Sequence, residues 1–295
     1  MHKKPRVGLL TGDPAGIGPE LAAKLLADPD TFARAEIVEL NHAAPDCPVG
    51  RASAIAGTYV LETLRAGTAA LQSQAIDALV YAPLNKQAMK LAGMQHSDEL
   101  HFFAELLGYS GPKSEINVCG NLWTSRVTSH VPLRDVPDRL TVEKVREAAR
   151  LLHRTMANAG IGAPKIAVAG LNPHAGEGGL LGMEEIDIIA PAVEQLRSEG
   201  IHTIGPLAAD TLFIAARRGD YHGVVTMYHD QGQIAMKLMG FDRGVTVAGG
   251  LPVIITTPAH GTAFDIAGKG IADPGAMRTA FQIACEMAQT ARARM

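Results

Sequence analysis

At 295 residues the chain is long enough for a large core and two domains. Apolar residues at 47% against 19% charged describe a soluble, globular chain, and a net charge of −3 argues against nucleic acid or an anionic membrane surface as partner. No apolar run approaches the roughly 20 residues of a membrane span. The basic start, Met1 to Arg6, runs straight into a strand without a cleavage-site pattern, and Cys47, Cys119 and Cys285 stand isolated, as cytoplasmic reduced thiols do.

In chain order, Arg6 to Thr11 reads as a buried strand that empties into the Gly-rich turn Gly12-Asp13-Pro14-Ala15-Gly16-Ile17-Gly18, followed by a helix to Leu26. That turn matches neither Gly-x-Gly-x-x-Gly nor the Walker pattern, so a ligand loop and a tight turn that needs glycine are both open. Ala35 to Leu40 is a short strand, Ala52 to Leu71 an amphipathic helix, and Ile76 to Pro83 another strand whose exit carries Asn85 and Lys86, either anion contacts or a helix start. Helices follow to Leu107. Glu115 to Gly120 and Trp123 to Ser129 form a hairpin about Gly120-Asn121. Thr141 caps a helix to Ala159. Lys165 to Gly170 is a strand, Met183 to Gly200 a helix, and Gly205 to Asp210 a turn into a short helix. Gly223 to Met227 is a strand that ends at Tyr228-His229-Asp230, where a helix begins. Short strands at Val245 and Val253 and a final helix from Gly275 to Ala293 complete the chain. Alternating strands and helices imply an α/β fold with mostly parallel sheets and helices on both faces.

Three histidines sit in loops at strand ends: His130, His174 and His229. Strand ends are where open α/β sheets bind ligands. Neutral imidazole suits zinc and other divalent cations, and separations of 44 and 55 residues demand a site assembled by tertiary structure rather than a zinc-finger spacing. Near the C-terminus, His260-Gly261-Thr262-Ala263-Phe264-Asp265 opens a Gly-rich loop. Its glycines allow backbone to approach a flat ligand, and Asp265 is placed to accept a hydrogen bond from a ribose 2′-hydroxyl, which favours NAD over NADP.

Several phrases, Gly-Asp-Pro-Ala-Gly-Ile-Gly-Pro-Glu from Gly12, Pro-Leu-Arg-Asp-Val from Pro132, Leu-Asn-Pro-His-Ala-Gly-Glu-Gly-Gly from Leu171, Gly-Pro-Leu-Ala-Ala-Asp from Gly205, Tyr-His-Asp-Gln-Gly from Tyr228 and the His260 loop, strongly resemble the 4-hydroxythreonine-4-phosphate dehydrogenase family of pyridoxal phosphate biosynthesis. The His260 loop also looks like the adenosine-binding loop of isopropylmalate dehydrogenases. The resemblance implies two α/β/α domains of the isopropylmalate/isocitrate dehydrogenase kind, with the active site in the cleft of a homodimer that shares its sites. It implies an NAD-binding domain over residues 1–113 plus 243–295 and a central metal, substrate and dimerisation domain over 114–242. It implies His130, His174 and His229 as ligands of a divalent metal (Zn, or Mg, Co or Mn), Asp210 and Asp230 as acidic groups beside it, Lys237 as a substrate contact, and Gly12, Asp13, His260, Gly261, Thr262, Ala263 and Asp265 at the NAD site. The reaction implied is oxidation of a secondary alcohol β to a carboxylate, followed by decarboxylation.

The chain departs from the family's pattern at the substrate. A His-Thr pair aligns to Glu99-Leu100, an Asn to Thr246 and an Arg to Ile255. Isoleucine cannot replace the donor fork of arginine for a phosphate dianion. The same family has a branch that acts on cis-dihydrodiol carboxylates and likewise lacks that arginine, so a non-phosphorylated substrate is the alternative. A non-catalytic metal or small-molecule binding protein is the alternative of another class. Typical members also carry a further strand and helix near Glu36 to Asn41.

Overall fold

The computed structural model describes residues 3–240 and 243–294. Met1, His2, Phe241, Met295 and Asp242, the last residue expected of the central domain, lie outside the described residues. The strands are β1 (Arg6–Leu10), β2 (Glu36–Glu39), β3 (Ala78–Tyr81), β4 (Ser114–Cys119), β5 (Leu122–Arg126), β6 (Ile166–Ala169), β7 (Thr203–Leu207), β8 (Gly223–Thr226), β9 (Val245–Gly249) and β10 (Ile254–Pro258). The helices are α1 (Gly18–Leu26), α2 (Pro29–Arg34), α3 (Ala54–Gln72), α4 (Lys86–Leu91), α5 (Glu99–Leu106), α6 (Val136–Arg139), α7 (Val142–Asn158), α8 (Ala190–Ser198), α9 (Ala209–Arg217), α10 (His229–Gly240) and α11 (Gly275–Ala293). The chain divides into two compact units, Met1–Gly111 with Asp242–Met295, and Pro112–Phe241.

In the first unit β1 lies between β2 and β3, and all three run parallel, with Val7 opposite Ala78 and Leu9 opposite Val80. Next to β3 comes β10, also parallel, and β9 closes the row antiparallel. Val7, Gly8, Leu9 and Leu10 are all buried, the near-continuous apolar run of a strand covered on both faces. The core gathers Leu10, Leu64, Leu79, Met89, Phe103 and Ile255. Burying each such side chain contributes about 1.5–3 kcal/mol. The long helix α3 begins where Ser53 Oγ accepts from Ala56 N at 3.2 Å.

Helix α3 meets α4 at Gly57, where an added Cβ would strike the Ala88 carbonyl and stand 3.0 Å from Ala92 Cβ. A Gly57→Ala exchange gains about 1 kcal/mol of helix propensity but forces the two backbones apart, at about 1–3 kcal/mol. The expected result in a thermal melt is a lower Tm; an unchanged or raised Tm would show that α4 yields freely.

The second unit has the strand order β4-β5-β8-β6-β7. The β4–β5 pair is the antiparallel hairpin about Gly120-Asn121, and β5, β8, β6 and β7 run parallel. Thr141 Oγ1 accepts from Lys144 N at 3.2 Å and starts α7. Two expectations need correction here. The segment read as a turn at Gly205 is strand β7, although it contains Pro206. It pairs with β6 alone in the described sheet, and an edge strand is where a sheet tolerates proline. The helix read from Met183 begins instead as a π-helical turn, Glu185–Ile189, that runs into α8. Among the described residues no helix is long and apolar enough to cross a membrane.

Candidate functional site

Strand order explains why histidines so far apart in sequence are neighbours. His130 follows β5, His229 follows β8 and His174 follows β6, and these three strands are adjacent and parallel in the order β5-β8-β6. All three loops therefore leave the same edge of the sheet, with the His229 loop in the middle. Neighbouring strands lie about 4.8 Å apart, so loops leaving them start within side-chain reach of one another. Asp210 follows β7, the next strand along, in the first turn of α9, and is exposed.

Pairing continues beyond the strand ends. Val127 N donates to Thr226 O at 2.8 Å, Thr128 N to Met227 O at 3.1 Å, and Thr128 Oγ1 to the same carbonyl at 2.8 Å. This clamp brings the rings of His130 and His229 to a centroid separation of 5.4 Å. His130 takes the left-handed conformation, φ 49°, which few non-glycine residues adopt. Its root is fixed by Arg126, whose Nε donates to Ser129 Oγ at 2.9 Å, Nη1 to Asn117 Oδ1 at 3.0 Å and Nη2 to Glu115 Oε2 at 2.6 Å. His130 and His229 line a cavity of about 310 Å³ together with Thr128, Val131, Tyr228 and Asp230.

His229 Nδ1 lies 2.6 Å from Asp230 Oδ1. That contact leaves Nε2 as the ring nitrogen for a ligand, the arrangement by which carboxylates orient metal-binding histidines. Two imidazoles side by side on one cavity wall suit a divalent cation. His174 is exposed, in the segment Pro173–Gly179, and is not among the residues lining that cavity. Among the described residues no group of three or more His, Cys, Asp or Glu side chains gathers as a metal centre. Lys237 is exposed on α10, two turns beyond His229.

The residues expected at a cofactor lie in the first unit. The Gly12 turn and the His260 loop pack together: Ile17 N donates to Thr262 O at 3.0 Å, and a Cβ on Gly16 would stand 2.7 Å from Thr262 Cβ. Gly12, at φ 71°, has no room for a side chain against the Ala82 carbonyl. Ala263 is left-handed at φ 42°, His260 Nδ1 lies 3.1 Å from Gly261 O, and Asp265 is exposed. Asp13 is fully buried. Its Oδ1 accepts from Ala15 N at 2.8 Å, while Oδ2 has no partner among the described atoms. Burial pushes its carboxyl above the usual value, against the pull of the Ala15 N–H. A buried acceptor without a donor, beside a loop with exposed backbone, fits a ligand that brings hydroxyl or amide donors.

The positions expected to meet substrate have mixed surroundings. Asn85 is the N-cap of α4, accepting from Ala88 N at 2.9 Å, so the helix-start reading holds for it. Lys86 Nζ reaches Glu99 Oε2 at 4.0 Å. Thr246 lies half-buried in β9, opposite Thr257. Leu100 and Ile255 are buried, Ile255 at 1% exposure within the core cluster, which gives both a packing role. Asp98 caps α5, accepting from His101 N at 2.9 Å. Burial works to raise its carboxyl pKa, but hydrogen bonds from His101 and Ser97 outweigh it and hold it below the ordinary 3.8. The folded carboxyl thus titrates below the unfolded one. Its contribution is present above the unfolded pKa and lost as pH falls through the lower folded value. The Tm advantage over Asp98→Asn is expected to be full at about pH 6 and to shrink below about pH 4. Melts showing a constant gap over that range would count against this.

The family model for pyridoxal phosphate biosynthetic protein PdxA matches residues 17–284. The chain is a member of the PdxA family. A Pseudomonas aeruginosa relative, whose own assignment as 4-hydroxythreonine-4-phosphate dehydrogenase 2 is provisional, is 49% identical over 96% of this chain and 97% of the relative. That alignment spans 327 residues, more than the chain's 295, so the relative has segments this PdxA-family chain lacks. The crystal structure of 4-hydroxythreonine-4-phosphate dehydrogenase from Klebsiella pneumoniae is 34% identical, covers 98% of this chain and 100% of its own, and superposes with a TM-score of 0.82. A terephthalate 1,2-cis-dihydrodiol dehydrogenase from Burkholderia xenovorans LB400 is 30% identical, covering 96% of this chain and 98% of its own, with a TM-score of 0.71. At 15% identity and a TM-score of 0.55, isocitrate dehydrogenase from Methylococcus capsulatus shares the fold. As a PdxA-family protein the chain is an oxidoreductase enzyme, which sets aside the non-catalytic reading.

Sequence reasoning missed three residues that build the site: Arg126, Gln231 and Glu185. Gln231 Oε1 accepts from Met227 N and its Nε2 donates to Gly170 O, both at 2.7 Å, tying the His229 loop to the exit of β6. Glu185 lies on the buried stripe of Ile189, Val193 and Leu196, at helical spacing. A carboxylate in an apolar stripe was the signal that could have found it.

Proposed function

We propose that the chain oxidises a secondary alcohol β to a carboxylate, using NAD and a divalent cation, and then releases CO2. The observation that carries this reading is the His130–His229 pair beside Asp230 at one cavity, at the ends of adjacent parallel strands. His130, His229 and His174 would hold the cation, with zinc the first choice for an all-imidazole set. When bound, that cation supplies positive charge that acidifies the substrate hydroxyl and stabilises the enolate left by CO2 loss.

The chain's own groups do the rest. Asp230 orients His229 and, with Asp210, offers carboxylates for proton transfer; Lys237 contacts the substrate as a cation. The Gly12 turn and the His260 loop take NAD, with Asp265 accepting from ribose and Asp13 Oδ2 meeting a ligand donor. In the first step the carbon–hydrogen bond breaks, its hydride passes to NAD and the hydroxyl proton leaves. In the second, the carbon–carboxylate bond breaks and the electron pair enters the ketone, to be reprotonated at carbon.

The first substrate to test is 4-hydroxythreonine 4-phosphate. A cis-dihydrodiol carboxylate is the second reading, favoured by one observation: the 30% identity, over 96% of this chain, to a terephthalate 1,2-cis-dihydrodiol dehydrogenase. NAD reduction with each substrate, with and without EDTA, tests both. The expected result is turnover that EDTA abolishes. Efficient turnover of the phosphorylated substrate removes the second reading, and EDTA-insensitive turnover removes the metal.

A cytoplasmic homodimer is part of this proposal. Ile214 on α9 and Ile234 and Leu238 on α10 are exposed at 59%, 60% and 84%, apolar surface that a second copy would cover. Light scattering on the purified protein should give twice the chain mass; a monomer at micromolar concentration would refute it.

A further inference from the structure

The segment that carries His174 is built unlike its two counterparts. Five successive residues, His174, Ala175, Gly176, Glu177 and Gly178, have φ between 45° and 81°, one turn of left-handed helix. Three of them are not glycine, and each pays of order 1 kcal/mol for that conformation. Such a turn persists only where its surroundings over-determine it.

The chain entering this turn is held by one buried side chain. Glu185, 2% exposed, accepts from Leu171 N and Asn172 N through Oε1, each at 2.7 Å, and from Asn172 Nδ2 through Oε2 at 2.9 Å. Neighbouring Glu184 Oε2 takes a further hydrogen bond from Asn172 Nδ2 at 2.8 Å. The carboxylate also fills the space inside the turn: a Cβ on Gly176 would stand 2.6 Å from Oε2, and one on Gly170 3.0 Å from Oε1. Leu181 N closes the far end onto Gly176 O at 3.1 Å. Gly170, where this segment starts, is held from the other side by Gln231 of the His229 loop.

We propose that Glu185 is a positioning residue, whose buried carboxylate sets the left-handed turn and thereby the place of His174 as a metal ligand. The inference rests on the metal-site reading above and extends it to a residue remote from the substrate. Glu185 acts through the backbone at two adjacent N–H groups, so its loss frees the segment at its root. Glutamine keeps one oxygen for those two N–H groups; alanine keeps none.

The test uses cobalt(II) binding, read by its visible absorption and by titration calorimetry, on the full chain without substrate. Glu185→Ala is expected to weaken cobalt binding about 10-fold or more, as loss of an outer partner of a metal ligand does. Glu185→Gln should recover most of it. His174→Ala should weaken binding to a similar extent, and the double variant should bind no more weakly than His174→Ala, because both changes remove the same ligand. Gly176→Ala, which displaces the carboxylate without deleting it, should reproduce the loss if Glu185→Ala does not fold. Native cobalt affinity and spectrum in Glu185→Ala, or multiplied losses in the double variant, would overturn the positioning role while leaving the metal site. No cobalt binding by the unaltered protein, or equal binding by His174→Ala, would overturn the metal-site reading and this one with it.

Discussion

Replacing His229 with alanine is expected to lower kcat/KM about 10³-fold or more, a loss of about 4 kcal/mol of transition-state stabilisation. His229 is the middle of the three histidines along the sheet edge, and its ring is both beside His130 and oriented by Asp230. The fold should not notice. The ring is partly exposed and its hydrogen bond runs to its immediate neighbour, so Tm is expected to move by no more than about 2 °C. A matching His130→Gly exchange removes the second imidazole while relieving a left-handed backbone. It should keep or raise Tm and still cost activity. The measurement is NADH formation alongside a melt. A variant with kcat/KM within threefold of the original protein would take His229 out of the chemistry.

The second large effect is on stability. Arg126 is 8% exposed and all three of its donor positions are used, on Ser129, Asn117 and Glu115. Arg126→Ala strands Glu115, whose side chain is 26% exposed, and leaves Ser129 and Asn117 short of a donor. Breaking a buried ion pair from one side costs about 3–5 kcal/mol, and the partial exposure of Glu115 puts this one at the low end, about 3 kcal/mol. Asn117 Oδ1 keeps its second donor, Gln233 Nε2 at 2.6 Å, which limits the loss there. Denaturant unfolding should show the decrease. A removal of both charges, Arg126→Met with Glu115→Leu, should cost less than Arg126→Ala, since no carboxylate remains unpaired. Equal losses in the two variants would show that packing, not pairing, sets the cost. Because Arg126 anchors Ser129, the residue before His130, Arg126→Ala should also lower activity at temperatures where it stays folded.

Much of this was legible in the chain. The strands read as ending at Met227 and Gly170, each within one residue of the observed end, the hairpin at Gly120-Asn121, the Thr141 cap and the helix from Gly275 follow from local chemistry: apolar runs, turn residues and a hydroxyl three residues before an N–H. The sequence also marked the three loop histidines. What it could not carry was adjacency. Nothing local says that β8 separates β5 from β6, and that order is what makes His229 the centre and joins it to His130. Strand β7 was lost because proline argues against a strand unless the strand is known to be an edge, which is a property of the sheet. Glu185 was passed over because a glutamate at a helix start looks like a solvated end charge, although its helical spacing with Ile189, Val193 and Leu196 marked it. Ile255 shows the opposite case: alignment drew attention to its missing guanidinium, and its environment is the core.

Strand β8 comes after both β5 and β6 in the chain, yet lies between them in the sheet. Its two neighbours cannot reach their final spacing until residues 223–226 insert, and those pairings span sequence distances that are slow to close. The His130–His229 contact is therefore expected to form only once β8 has taken its place between its neighbours. A chain caught before that insertion has β5 and β6 each with an unpaired edge, open to the wrong strand or to another copy.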